Sequence, residues 1–239
     1  GSEMCIRDSL KTLPPRAKRP LRLPYPPLLP GGGEALLGDA LEAVRGADGI
    51  QAFYLDPPYS AHSYLGNYHV WETLVAYDRP PVYGKAKKRL EVRERKSPFT
   101  LKAQAEEALR RLLAPLEGKA FLLSYSDEGL VPISRLWEMV ASTGYALAVA
   151  TPHRRYVGAK VGIHNPRGER VGRPGRAWNT EYLFLSVPWR SAIEGAREAV
   201  LALKSGGSFP HLRIPSWEEL EENTSRSGAV PILSQKEGT

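Results

Sequence analysis

Four short apolar runs constrain this chain most. They are Ala52–Leu55 (AFYL), Ala120–Tyr125 (AFLLSY), Tyr145–Ala150 and Tyr182–Val187 (YLFLSV). Each has the length of a strand, is rich in aromatic and aliphatic residues, and reads as buried on both faces. Helical patterns lie between or after them. His62–Tyr77 repeats Tyr64, Tyr68, Trp71, Leu74 and Val75 at spacings of three and four. Leu101–Leu113, Ile133–Thr143 (ending at Gly144, read as a C′ residue) and Ser191–Leu203 continue the series. Ala35–Leu37 reads as a further short strand, followed by Gly38-Asp39 and a short helix through Val44. Strands alternating with helices predict an α/β layer fold with a mostly parallel sheet. No helix separates the last two strands, so they are expected as an antiparallel edge hairpin.

Composition narrows the class. The 239 residues carry 33 Lys+Arg against 26 Asp+Glu, a net charge of +7, with 42% hydrophobic residues and one cysteine. That apolar content supports a packed core and excludes wholesale disorder. No apolar run reaches the length of a membrane span, and a cytoplasmic location is expected. One cysteine makes neither an internal disulfide nor a cysteine-based zinc cluster. The histidines, His62, His69, His153, His164 and His211, show no metal-ligand spacing, so no metal is expected.

The organisation reads in three parts. Residues 1–33 are an extended stretch. Gly1–Leu10 holds the cysteine and resembles a scar, and Lys11–Gly33 is too rich in proline for a long helix or central strand. Residues 34–204 form the folded domain, and 205–239 a polar tail.

The most specific motif is Asp56-Pro57-Pro58-Tyr59, directly after the first strong strand. Ligands of open α/β sheets bind outside the carboxyl ends of the strands. Two prolines end the strand and stiffen the turn there. Ser124-Tyr125-Ser126 ends the second strong strand at the same edge, and Asp127-Glu128 after it reads chiefly as a turn leading into the next helix. Basic residues crowd two connections. One, within 79–98, contains Arg79, Lys85, Lys87, Lys88, Arg89, Arg93, Arg95 and Lys96. The other, at 157–178, follows Arg154-Arg155-Tyr156 and contains Lys160, Arg167, Arg170, Arg173 and Arg176. Either run alone reads as a solvated face. Beside a ligand edge, they are expected to contact phosphates. Asn165 or Arg167 of the second connection is a candidate reader of base edges.

The stretch FYLDPPYSAHSYLGNYHVWETLVAYDRPP, with SPF, LLSYSDEGL, HRRYVG and EYLFLSV after it, resembles the D12-class N6-adenine-specific DNA methyltransferases over about Gly38 to Val187. The resemblance implies a Rossmann-like methyltransferase sheet, S-adenosylmethionine as cofactor and double-stranded DNA as substrate. It also implies a cognate restriction endonuclease as partner; a monomer is expected. The amine of adenine is a poor nucleophile, because its lone pair is delocalised into the ring. In this family the Asp56 carboxylate and the Pro57 carbonyl would accept its two hydrogens, Pro58 would stiffen the turn, and Tyr59 would face the flipped base. Asp39 would lie near the adenine end of the cofactor, or cap a helix. Lys85, Lys87, Lys88, Arg89, Arg154, Arg155 and Tyr156 would contact DNA. The family also carries a glycine-rich turn before the Asp-Pro-Pro-Tyr strand. Gly31–Gly33 follows a proline-rich stretch instead, so the chain is expected to lack its first strand-turn-helix unit. The competing readings are a nucleic-acid-binding fragment without activity and an RNA amino-methyltransferase.

Overall fold

The computed structural model describes Pro20, Tyr25, Pro27, Leu28, His211 and residues 30–84, 87–155, 176–207 and 213–215. These fall into two compact units. One takes its described residues from 1–39 and Leu65–Arg95, the other from Ala40–Tyr64 and 96–239.

The larger unit is built on a four-stranded mixed sheet in the order β1-β4-β6-β5. Its strands are β1 (Ala52–Leu55), β4 (Ala120–Ser126), β5 (Tyr145–Arg154) and β6 (Trp178–Val187). β1 pairs in parallel with β4, with Leu55 opposite Leu123. β6 runs antiparallel to both neighbours, with Glu181 opposite Ser126 and Trp178 opposite Arg154. The α/β class and the β5–β6 hairpin follow the sequence reading. The ladders are more antiparallel than expected, because β6 inserts between β4 and β5 instead of extending the edge. Both hairpin strands are longer than their apolar runs, since the ladder also holds the polar ends His153–Arg154 and Trp178–Thr180. Beyond the last helix, Arg213 exchanges two main-chain bonds with Ala150 (2.8 and 2.9 Å) and covers part of the open side of β5.

Helices α1 (Ala40–Arg45), α4 (Ala105–Leu113), α5 (Ile133–Ala141) and α6 (Arg190–Ser205) complete this unit. Helix α4 buries Ala105, Ala108, Leu109, Leu112 and Leu113, the i, i+3, i+4 stripe its sequence predicts. It begins at Ala105 rather than Leu101, because Pro98–Thr100 forms a 3₁₀ turn and Leu101–Gln104 further turns. Leu116, Leu123, Leu136, Val140 and Phe184 are fully enclosed. Each such side chain contributes about 1.5–3 kcal/mol. Arg135 of α5 bonds Glu106 of α4 at 3.0 Å.

Three expectations change here. Residues 35–37 form no strand, and Leu36 and Leu37 are exposed. β1 is an outer strand among the described residues, so Tyr54 on one face is open and only Leu55 is buried. Gly144 does not have the positive φ of a C′ cap. Its glycine is required because a Cβ would lie 2.7 Å from the Val187 carbonyl oxygen.

The smaller unit contains α2 (Tyr64–Ala76) from its second residue onward, the hairpin β2 (Val82–Tyr83) with β3 (Lys88–Arg89), and the short helix α3 (Glu91–Glu94). The stretch 79–98 was expected as a loop. Instead a turn with Gly84 (φ 68°) and Lys87 (φ 51°) folds part of it back on itself. In α2 the aromatic stripe Tyr64, Tyr68, Trp71 and Val75 is exposed, and Gly66 and His69 on the opposite side are the buried residues. At 100° per residue these two sets lie about half a turn apart.

Arg89 anchors this unit. It is buried, forks onto Asp78 with bonds of 2.7 and 2.8 Å, and also reaches Glu91 and Thr73, each at 3.2 Å. The hydrogen bond from Arg89 holds the Asp78 carboxyl below the usual carboxylate range. A depressed folded pKa gives stability that is present above the unfolded value, near about 3.9, and is lost as pH falls through the folded value. The pair should therefore contribute undiminished from pH 7 to about 5 and fade below about 4. Thermal melts of Asp78→Asn should begin lower at pH 7 and depend less on acid; a wild-type acid profile in that variant would refute the role.

Candidate active site

The Asp-Pro-Pro-Tyr segment leaves β1 at the carboxyl edge of the sheet, beside the end of β4. Pro57 is buried, Pro58 and Tyr59 are half-buried, and Asp56 is exposed. A strand that ends in two prolines cannot continue its ladder, so the chain turns out here with Asp56 facing solvent. Tyr59 is fixed from two sides. Its carbonyl accepts the Leu130 N–H at 2.8 Å, and its ring stands edge-on to Tyr125 with centroids 5.8 Å apart.

Tyr125 is the inner support. It is 1% exposed, and its hydroxyl accepts the Val131 N–H at 3.2 Å. Burial pushes its phenol above the ordinary value. Gly129 packs so closely that a Cβ would lie 2.1 Å from the Tyr125 ring carbon Cε1. The turn Ser126–Leu130 thus carries Tyr59 on one side and sits over Tyr125 on the other.

The same turn is locked to β6. The Asp127 N–H donates to the Thr180 carbonyl (3.0 Å), and the Thr180 N–H to Asp127 Oδ1 (3.1 Å). Buried Asn179 donates through Nδ2 to Ser126 Oγ (3.1 Å) and to Glu181 Oε1 (2.8 Å). Glu128 pairs with Arg155 at 2.8 Å. Asp127 and Glu128 therefore act as tethers of the turn, in keeping with the turn reading of these residues.

Tyr59 lies in a negative field. Its phenol is raised first by burial and then by Glu181, Glu128 and Asp56, so it is a neutral hydroxyl at pH 7. Sequence reasoning missed Glu181 and Asn179. Their only signal was the polar run Asn179-Thr180-Glu181 at the start of the strand, whose alternate positions 179 and 181 share one face.

The other expected residues are placed as follows. Asp39 immediately precedes α1, the position of an N-cap. Lys87 is exposed and Lys88 half-buried in the β2–β3 hairpin. Arg154 is exposed at the end of β5. Arg89 departs from expectation: its guanidinium is enclosed and already bound by carboxylates, so it is a structural anchor and not a phosphate contact. Lys85 and Tyr156, with Lys160, Asn165, Arg167, Arg170 and Arg173, lie outside the described residues. Among the described residues no group of three or more His, Cys, Asp or Glu could hold a metal, and no helix is long and apolar enough to cross a membrane.

Known proteins resemble parts of this chain. Type II methyltransferase M.FokI of Planomicrobium okeanokoites is 35% identical over 106 residues, covering 43% of this chain and 16% of that protein. Type II methyltransferase M.NlaIII of Neisseria lactamica is 30% identical over 159 residues, 65% of this chain and 46% of that protein. Modification methylase LlaI of Lactococcus lactis subsp. lactis is 34% identical over 86 residues, 36% of this chain and 14% of that protein. The chain thus spans less than half the length of each of these relatives. No solved structure matches it significantly. The family model for D12 class N6 adenine-specific DNA methyltransferases matches residues 36–135, which include the Asp-Pro-Pro-Tyr segment, the turn over Tyr125 and the strand beneath both. Over that region, which is less than half of the chain, the sequence is similar to the D12 class N6 adenine-specific DNA methyltransferases.

Proposed function

We propose that this protein methylates N6 of a flipped-out adenine in duplex DNA, using S-adenosylmethionine, and that it serves as the modification half of a restriction–modification system. The observation that carries the reading is the position of Asp56-Pro57-Pro58-Tyr59 at the carboxyl edge of β1, with Asp56 exposed and Tyr59 braced on Tyr125. The named type II methyltransferases and modification methylases support the system-level assignment. On this reading residues 34–204 carry a Rossmann-like methyltransferase sheet, at work in the cytoplasm as a monomer beside a cognate endonuclease.

The residues at this edge suit the cofactor. Asp56, Glu128 and Glu181 make it negative around Tyr59, which matches a cationic sulfonium and ammonium. Asp56 and Asp39 are the residues that would hold S-adenosylmethionine, which when bound supplies an electrophilic methyl carbon. The Asp56 carboxylate and the Pro57 carbonyl accept the two N–H bonds of the adenine amine. That draws the nitrogen toward tetrahedral geometry and frees its lone pair. These acceptors act by being in place beforehand, in a turn held rigid by two prolines. Tyr59 is half-buried, so part of its ring stays open to a base taken out of the stack.

The test is direct. The protein is incubated with labelled S-adenosylmethionine and duplex DNA, and the digested nucleosides are separated. Label in N6-methyladenosine's deoxy form is the expected result. Its absence, or label only in RNA offered in parallel, would overturn the assignment.

The basic hairpin has its own test. Replacing Lys85, Lys87 and Lys88 together by alanine should weaken DNA binding and lower the salt slope by up to about 0.9 per lost phosphate contact. An unchanged slope would remove these lysines from the interface.

A further inference from the structure

Arg155 stands where the chain leaves β5, at the foot of the basic connection that returns at β6. Three bonds to described residues hold it. Its main-chain N–H donates to the Ala177 carbonyl at 3.0 Å, and its guanidinium donates to the Arg176 carbonyl at 3.3 Å. Its other terminal nitrogen pairs with Glu128 Oε1 at 2.8 Å. The first two bonds close the stem of the connection upon itself. The third fastens that stem to the turn Ser126–Leu130, whose Leu130 N–H holds Tyr59.

We propose that Glu128 and Arg155 form a positioning pair that fixes the stem of the basic β5–β6 connection to the turn carrying Tyr59, so that Arg155 serves DNA engagement through this clamp and not as a phosphate contact. The inference rests on the reading of this edge as an adenine methyltransferase site. A guanidinium that reached for phosphate would have to abandon a carboxylate at 2.8 Å and the Arg176 carbonyl together. Arg154, its exposed neighbour, makes no ion pair with a described residue and is the better placed cation for phosphate. The clamp also explains an acidic residue on a surface expected to meet a polyanion. Apart from its share of the negative field around Tyr59, Glu128 without a tethering role would repel DNA.

That contrast gives opposite signs to the two possibilities. Glu128→Gln removes a negative charge, so a bystander carboxylate predicts tighter DNA binding. The clamp predicts the reverse, a loss of about tenfold in affinity for unmethylated duplex DNA. Binding equal to or tighter than wild type would overturn it. A second measurement addresses Arg155. In Arg155→Gln the slope of log affinity against log salt should stay within about 0.3 of wild type, whereas a direct phosphate contact would lower it by about 0.9. The double variant Glu128→Gln/Arg155→Gln should lose no more than the worse single variant; additive losses would count against a pair acting as a unit.

The result separates from that of the function itself. Wild type that binds DNA but methylates no adenine defeats the proposed function, and the clamp is still read from affinity. Wild type that methylates adenine, with Glu128→Gln indistinguishable from it, defeats the clamp alone. Should wild type not bind DNA, amide exchange decides. The Arg155 N–H bonded to Ala177 should exchange faster in Glu128→Gln, and unchanged exchange would overturn the clamp.

Discussion

Replacing Asp56 by alanine should lower methyl transfer to adenine by about 10²–10³-fold or more, the loss seen when one pre-placed electrostatic partner of a reacting group is deleted. The fold should not notice. Asp56 is exposed at a strand end and its carboxylate makes no hydrogen bond or ion pair with a described residue, so melting should shift by no more than surface substitutions usually cause, within about 0.5 kcal/mol. DNA affinity should hold or rise slightly, because a negative charge leaves the surface. Asp56→Asn should fall between wild type and alanine: it keeps an acceptor oxygen at the same distance but loses the charge. Single-turnover methylation, measured beside affinity for the same duplex, checks all of these. Near-normal rates in Asp56→Ala would remove the residue from the chemistry.

Gly129→Ala should be the most damaging methyl-sized substitution in the site. The added Cβ meets the Tyr125 ring at 2.1 and 2.6 Å and its hydroxyl oxygen at 2.8 Å. That ring is enclosed and tied through its hydroxyl to the Val131 N–H, so it has little room to retreat. Overpacking of this kind costs about 1–3 kcal/mol, which in a domain of this size lowers the melting temperature by about 2–10 °C. The effect should reach activity as well, since Tyr125 supports Tyr59 edge-on. In a Tyr125→Leu background the same glycine substitution should cost much less, because the colliding ring is gone. Equal costs in both backgrounds, measured by denaturant melts, would show that the clash is relieved elsewhere.

Much of the core was legible in the sequence. Ala120–Tyr125 and Tyr182–Val187 are strands because continuous apolar runs of that length bury one face and half-bury the other, and α4 follows its stripe of Ala and Leu residues. What was not legible is non-local. His153, Arg154, Asn179 and Thr180 are strand because they pair with one another across the β5–β6 ladder, and nothing in their own neighbourhood says so. Tyr64, Tyr68, Trp71 and Val75 have the spacing of a buried face, yet Gly66 and His69 opposite them are buried. Arg89 looked like the lysines beside it, and it is Asp78, 11 residues earlier and folded back against it, with Thr73 and Glu91, that makes it an anchor. In the candidate site the Asp-Pro-Pro-Tyr motif was readable because it combines a rare composition with a strand end. Glu181, Asn179 and the tethering by Asp127 and Glu128 depend on β6 lying antiparallel beside β4, an order that short apolar runs do not encode.

The pairing of Arg154 with Trp178 brings the two ends of the long basic connection onto adjacent strands of one ladder. Closing a loop from fixed neighbouring ends costs little more as it lengthens, about 0.6 kcal/mol per doubling. Residues between the stem positions can therefore be exchanged, shortened or extended with small effect on the sheet beneath. On the proposed function, a connection grafted onto this stem is a practical route to a new target site, with the edge that holds Asp56 and Tyr59 left in place.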